Sequence, residues 1–344
     1  MSLHRSDLPE DVLSLLAQGA VIPAHPLALD ANRRFDARRQ RALTRYYVDA
    51  GAGGLAVGVH TTQFAIREHG LYDTVLRNAM RDRLDWDQRP MAMIAGLCGG
   101  TVQARNEARI AVGLDYHAGL LSLAALAGAP EDESIAHCEA VAGEIPLIGF
   151  YLQTAVGGPV LSSEFWRRFA TIPNALAIKV APFNRYRTLD VVRGVVAARA
   201  EERVFLYTGN DDHIVLDLAL PFVAMRDGAA VSVRFRGGLL GHWSVWTRSA
   251  VQQLARIKSE LAQGGGSLGP ELLALDARVT DCNSAFFDVV NNFHGCIAGC
   301  HEVLRRQGLL EGIWCLDPAE GLGAGQAAEI DRVYRMHADL SDDA

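Results

Sequence analysis

Lysine is almost missing from this sequence. Of its 33 basic residues only Lys179 and Lys258 are lysines, and arginine fills every other position. A guanidinium is a fixed charge, whereas an amine can lose its proton and act as a nucleophile. A lysine retained against that background is therefore a candidate for chemistry. Lys258 lies in the amphipathic stretch Leu254-Ala-Arg-Ile-Lys-Ser-Glu-Leu261 and reads as a solvated helix residue. An excess of positive charge is missing too. The net charge is −7 and the pI is near 5.9, which argues against nucleic-acid partners and anionic membrane surfaces. No apolar run reaches the roughly 18 residues of a membrane span. The longest, Gly119 to Ala129, is rich in alanine. The first ten residues contain no hydrophobic signal region. These absences lead us to expect a soluble, cytoplasmic protein.

Six cysteines include no CxxC pair, so reduced thiols are expected. His294, Cys296, Cys300 and His301 do cluster, and helical spacing would put Cys296 and Cys300 on one face. The spacing matches no standard zinc site, and small cysteines at a helix-packing seam is the reading adopted. No metal and no organic cofactor are expected.

What is present is material for a large core: 49% of the residues are apolar and 21% charged. A chain of 344 residues accommodates one α/β barrel or two mid-sized domains. Nearly continuous apolar runs predict strands at Ala20 to Ala24, Gly54 to Val59, Met91 to Ala95, Ala118 to Leu123, Pro146 to Tyr151, Ala175 to Val180, Arg203 to Tyr207 and Ala229 to Val233. Helical periodicity separates them, at Phe35 to Asp49, Leu71 to Leu84, Val102 to Val112, Asp132 to Ala142, Ser163 to Phe169, Leu189 to Ala200, His213 to Met225 and Val245 to Leu261. Eight such units predict a TIM (β/α)8 barrel over residues 1–263. A doubly wound sheet is the alternative, but no GxGxxG follows the first strand. Beyond the breaker Gly264 to Pro270 the pattern is helical (Leu272 to Ala277, Ala285 to Gln307, Gly325 to Ala338), predicting a C-terminal helical extension over 268–344.

Barrel enzymes place catalytic groups at the C-terminal ends of strands. Lys179, in Ala175-Leu-Ala-Ile-Lys-Val-Ala181, is near the end of the sixth. Desolvation there could yield a neutral amine able to attack a carbonyl; a lysine snorkelling to solvent is the other reading. Tyr151 ends the fifth strand, within expected reach of Lys179, as a proton shuttle or as a packing residue. The second strand ends in Val57-Gly-Val-His-Thr-Thr-Gln63, whose N–H groups and hydroxyls suit a carboxylate, or which is an ordinary polar loop.

Together these pieces resemble the dihydrodipicolinate synthase / N-acetylneuraminate lyase family of class I aldolases. That family has a TIM barrel, a Schiff-base lysine on the sixth strand, a tyrosine ending the fifth and a Gly-x-x-Thr-Gly-Glu-like loop after the second. Gly58-Val-His-Thr-Thr-Gln63 takes the loop's place, aligning His60 and Thr61 with the hydroxyl pair that holds the 2-oxo acid carboxylate. Thr208-Gly-Asn-Asp211 resembles the Gly-Asp-Asp turn after the seventh strand, and Ala229-Ala-Val-Ser-Val233 looks like the eighth strand. The resemblance runs from about Gly19 to Leu261. It implies an imine between Lys179 and pyruvate or another 2-oxo acid. Tyr151 would move protons, with His60, Thr61, Thr62, Gly209 and Asn210 around the substrate. It further implies a carbonyl partner as second substrate and a homo-oligomer, tetramer or dimer.

The departures are specific. The family's arginine after the tyrosine is absent, with Val156 near its place, and the relay tyrosine after the fourth strand is replaced by Leu121-Ser-Leu-Ala-Ala125. The groups that select aspartate semialdehyde are therefore missing, and a true dihydrodipicolinate synthase is not expected. Arg234, just past the predicted eighth strand, could hold a second carboxylate, and His25 could act as acid or base or as a backbone-bonded loop residue. Trp314, Glu320 and Gly321 occupy a turn-rich stretch that either reaches a barrel mouth or makes structural contacts. The expected function is a Schiff-base-forming lyase. A sugar-acid dehydratase or hydratase-aldolase using the same lysine, and an inactive barrel that binds ligands, are the alternatives.

Overall fold

Strands covered on both faces need no polar alternation, and eight segments of the chain follow that rule throughout. They are β1 (Val21–Pro23), β2 (Gly54–Val57), β3 (Ala92–Leu97), β4 (Ala118–Leu121), β5 (Leu147–Leu152), β6 (Ala175–Ala181), β7 (Phe205–Thr208) and, after two strands described below, Gly237–Leu240. Every residue in them is buried. The computed structural model describes residues 2–87, 89–263 and 268–342. Of the predicted breaker Gly264 to Pro270, positions 264–267 lie outside the described residues.

The helices are α1 (Glu10–Gln18), α2 (Ala37–Asp49), α3 (Tyr72–Leu84), α4 (Thr101–Gly113), α5 (Glu131–Ala142), α6 (Ser163–Thr171), α7 (Arg185–Ala197), α8 (Ile214–Ala219) and α9 (Thr247–Gln263). The C-terminal set is α10 (Pro270–Phe286), α11 (Cys296–Arg306) and α12 (Gln326–Met336). Several starts are fixed by side-chain caps that satisfy the first N–H groups. Asp36 accepts from Arg38 and Arg39, Ser162 from Phe165, and Asn184 from Tyr186 and Arg187. No helix among the described residues is long and apolar enough to cross a membrane.

One segment departs from the sequence expectation. The helix predicted from His213 to Met225 stops at Ala219, and β8 (Phe222–Arg226) pairs antiparallel with β9 (Ala229–Val233). Ala229 to Val233 is therefore half of a hairpin and not the eighth barrel strand. Its turn is Asp227-Gly228, both at positive φ (52° and 78°), the geometry that Asp-Gly favours in a two-residue loop. Ala229, Ala230 and Ser232 are exposed, which a doubly covered strand does not allow. The eighth barrel strand is β10 (Gly237–Leu240), a segment that begins with two glycines and is not among the predicted strands. Gly237 is required by close approach: a Cβ there would lie 2.3 Å from the Ala20 carbonyl oxygen and 3.0 Å from the Tyr207 ring.

The barrel strands form one sheet in the order β1-β10-β7-β6-β5-β4-β3-β2, and a parallel bridge between Ala24 and Ala56 joins its two ends. This is the TIM (β/α)8 barrel expected from the sequence, with C-terminal helices. By contacts the chain divides into two compact units. The first comprises Met1–Ala20, Pro90–Asn210 and Asp217–Leu239; the second Val21–Arg89, Asp211–Leu216 and Leu240–Ala344. In the first unit β3 to β7 pair in parallel, and α6 turns an aromatic face inward. Trp166 meets Phe165, Phe169 and Tyr151 with ring centroids 5.1, 5.8 and 5.2 Å apart. In the second unit the Tyr47 hydroxyl donates to Ser244 O (2.8 Å), and Trp246 packs against Phe286 and Tyr334.

Candidate functional site

In the first unit, Lys179 is near the end of β6 and only 7% exposed. Parallel register sets Phe150 of β5 on one side of it and Tyr207 of β7 on the other. Residues paired in this way share a face of the sheet, while their sequence neighbours take the opposite face. The Lys179 amine accordingly lies 4.4 Å from the centre of the Phe150 ring, where the negative ring face favours a cation. Beside it runs the turn after β7. The Gly209 N–H donates to Val180 O (2.8 Å). A Cβ at 209 would lie 2.7 Å from Lys179 Cε and 2.8 Å from Ala181 Cβ. Glycine is thus the residue that lets this backbone lie along the lysine side chain.

Tyr151 is placed differently from its sequence expectation. It pairs with Val180, one position beyond the Phe150–Lys179 pair, and so takes the other face. Its ring packs on Trp166 of α6. Its hydroxyl donates to Leu161 O (3.1 Å) and accepts from Leu161 N–H (3.2 Å). Gly149, two residues earlier on that face, makes room for Phe169 and Trp166. The expected reach from Tyr151 to Lys179 depended on strand-end proximity; a one-residue change of position on a strand reverses the face. Burial raises the phenol above its usual range, opposed by the Leu161 backbone.

The turn Thr208-Gly209-Asn210 is organised by a residue that sequence reading passed over. Asp217 of α8 is fully buried, and its carboxylate accepts from the Thr208 hydroxyl (2.6 Å), from the Asn210 amide (2.9 Å) and from the Arg185 guanidinium. Burial pushes the Asp217 carboxyl up, while Arg185, Thr208 and Asn210 pull it down. The Asn210 amide also donates to Thr188 Oγ1 (3.2 Å), and its oxygen accepts from Phe183 N–H (3.1 Å). Asn210, expected beside the substrate, spends its side chain on the scaffold. A single aspartate within an apolar helical run was the available signal for Asp217.

Arg234 follows the β8–β9 hairpin rather than the eighth barrel strand, and its guanidinium donates to Ala219 O (2.8 Å). The strand-end position that suggested a substrate carboxylate for it is not the one it occupies.

In the second unit the loop after β2 is a short 3-10 turn, His60–Thr62. The Thr61 hydroxyl donates to Ala24 O (2.9 Å). The Thr62 hydroxyl donates to His25 O (2.6 Å) and accepts from the N–H groups of Gly58 (3.0 Å) and Val59 (3.2 Å). A hydroxyl has one proton and two lone pairs, so Thr62 is saturated, and the N–H groups of Gly58 and Val59 are committed to it. His60 is half-buried against Phe64, with ring centroids 6.0 Å apart. His25 is fully buried between Pro26 O and Thr44 Oγ1, both at 2.9 Å, and burial brings it down to about 4. That is a structural, neutral imidazole.

The Trp314–Gly321 stretch is tied to the loops that follow β1 and β2. The Arg33 guanidinium donates to Cys315 O, and Leu316 N–H donates to the Gln63 side chain (2.6 Å). Burial raises the Glu320 carboxyl, and Asp317 raises it further. Cys296 and Cys300 lie buried on α11, with both thiols pushed up by burial. Among the described residues no group of three or more His, Cys, Asp or Glu is placed to hold a metal.

No family model matches this chain, and no curated protein matches it significantly by sequence. Solved structures do match. Dihydrodipicolinate synthase from Acinetobacter baumannii, complexed with pyruvate, is 16% identical with a TM-score of 0.73, over 92% of this chain and 98% of its own. YagE, a prophage protein of the dihydrodipicolinic acid synthase family from E. coli K12, also complexed with pyruvate, has the same identity, TM-score and coverage. CdNal from Clostridium difficile, in complex with mannosamine, is 14% identical with a TM-score of 0.71, over 93% of this chain and 99% of its own. At such identities the likeness is one of fold. The chain's structural neighbours thus include members of the family that its sequence resembles.

Proposed function

We propose that this chain is a Schiff-base-forming lyase of the dihydrodipicolinate synthase type, acting on pyruvate or another 2-oxo acid through Lys179. The observation that carries the reading is a buried lysine at the end of β6 with the Gly209 backbone laid against its side chain. Once deprotonated, the Lys179 amine attacks the carbonyl carbon to form a C–N bond, and its two N–H protons are lost as the C=N bond forms, while the carbonyl oxygen takes up two protons and leaves as water. The imine then acts as an electron sink for cleavage, condensation or dehydration. Phe150 carries no hydroxyl, Tyr207 donates its own to Leu16 O (2.8 Å), and Tyr151 faces Trp166, so we assign proton transfer at the carbinolamine to water or to the substrate's own carboxylate. Pyruvate in the Acinetobacter baumannii and YagE complexes supports the 2-oxo acid. Val156 and the phenol-free segment Leu121 to Ala125 support a carbonyl partner other than aspartate semialdehyde. The mannosamine complex of CdNal favours, as a second reading, a polyhydroxylated partner handled by the same imine. We also propose a homo-oligomer, which mass photometry would test.

The experiment is intact-protein mass spectrometry after incubation with pyruvate and borohydride. A reduced pyruvoyl adduct on wild type, mapped to the peptide bearing Lys179 and missing from Lys179→Arg, is the expected result. Failure of pyruvate and of a panel of 2-oxo acids would overturn the lyase reading in favour of a ligand-binding barrel.

A further inference from the structure

Asp217 sits where two loops are joined. Its carboxylate holds Thr208, the last residue of β7, and Asn210, on either side of Gly209. It also holds Arg185, the first residue of α7, only six positions after Lys179. Asn210 adds Phe183 N–H and Thr188, so the segment that leaves β6 is fastened to the same carboxylate from a second direction. The Asn210 N–H donates to Thr208 Oγ1 (3.1 Å), which closes the turn on itself. Between these fastenings lies Gly209, whose backbone runs along the Lys179 side chain.

We propose that Asp217 is a positioning residue for Lys179, fixing the turn after β7 and the start of α7 so that Gly209 confines the amine. The inference rests on the reading of Lys179 as the reacting group. Asp217 itself touches neither substrate nor reacting atoms. Without it, Thr208 and Asn210 lose their shared acceptor, the Gly209 backbone shifts, and the lysine side chain gains room. Misplacing a reacting group by about 1 Å costs on the order of 100-fold in rate.

The chain's two lysines supply an internal reference for the test. The full-length protein is labelled with limiting acetic anhydride, and acetylation of Lys179 relative to Lys258 is read by peptide mass spectrometry for wild type, Asp217→Ala, Asp217→Asn and Thr208→Val. Thr208→Val is nearly isosteric and keeps the fold if Asp217→Ala does not. Glu144→Ala, which unties Arg105 and Arg109 instead, controls for lost stability. Borohydride trapping at saturating pyruvate is measured on the same set. The expected result is a rise in the Lys179:Lys258 ratio and a fall in trapping of about 100-fold for Asp217→Ala and about tenfold for Thr208→Val, with Glu144→Ala unchanged in both. An unchanged ratio in both Asp217→Ala and Thr208→Val, or an equal change in Glu144→Ala, overturns the inference. A raised ratio with no trapping by wild type keeps the positioning role and removes the lyase reading; normal trapping with an unchanged ratio does the reverse.

Discussion

The turn after β7 and the loop after β2 are both polar segments at strand ends, and both commit their side chains to holding backbone. They do so with different chemistry. In the first, a buried carboxylate gathers Thr208, Asn210 and Arg185 around one charge. In the second, neutral hydroxyls of Thr61 and Thr62 bind the carbonyls of Ala24 and His25, and the Arg67 guanidinium adds a single donor to Gly58 O (3.2 Å). A segment organised by one buried ion loses its order as a unit when the ion is removed, whereas hydroxyl–carbonyl bonds fail one at a time. The difference separates a turn whose geometry is enforced from a loop whose geometry is merely satisfied.

The widest contrast comes from pH. Within the second unit His25, His242 and His301 are fully buried and each brought down to about 4 by burial. An unfolded histidine titrates near 6.5, so between about pH 6.5 and 4 the unfolded chain binds more protons than the folded one. The stability these residues contribute is complete above pH 6.5 and is lost as pH falls towards 4, by roughly 2–3 kcal/mol each. Residue-resolved hydrogen exchange at pH 7 and pH 4.5 is expected to show a larger loss of protection around these histidines than in β5 to β7. Equal losses in both would remove the contrast.

Asp217→Ala is next, expected to cost roughly 3 kcal/mol by urea unfolding, since two buried donors lose their acceptor while the part-exposed Arg185 is rehydrated. Gly209→Ala is expected to sharpen the picture by acting on the same turn from inside. Trapping with pyruvate falls roughly ten- to 100-fold, and stability falls by about 1–2 kcal/mol, because the lysine stem can swing aside but Ala181 Cβ cannot. In the loop after β2, Thr62→Val orphans two N–H groups and is expected to cost about 2 kcal/mol, against about 1 kcal/mol for Thr61→Val. Should Thr62→Val cost as much as Asp217→Ala, the distinction between enforced and satisfied segments fails.

Most of the barrel was legible because doubly covered strands write themselves as uninterrupted apolar runs, and seven of the eight barrel strands overlap the segments read from sequence. β10 was not, because Gly237-Gly238 has no side chains to signal burial; its glycine answers to the Ala20 carbonyl, far away in sequence. The hairpin before it was readable from Asp227-Gly228 between two apolar runs, but helical periodicity across Asp217 hid it. Lys179 was singled out as a candidate by the scarcity of lysine together with its place near a strand end. The neighbour it meets was not: choosing between Phe150 and Tyr151 requires the register of β5 against β6, and a strand's end does not reveal its facing. Asp217 stood out only as a lone aspartate in an apolar run, and its role was hidden for a related reason, since its partners arrive from the end of β7, the turn after it and the start of α7.

The β8–β9 hairpin also marks where this chain is expected to tolerate being opened. Its outward residues Val223 and Met225 are more than half exposed, and the Asp227 carboxylate is engaged by an equally exposed Arg199, an interaction of little energetic weight. New termini between Asp227 and Gly228 would divide the protein into two fragments without cutting any barrel strand. Protein engineers seeking a split reporter or an insertion point would find it there, at a turn that the eight-stranded sheet does not use.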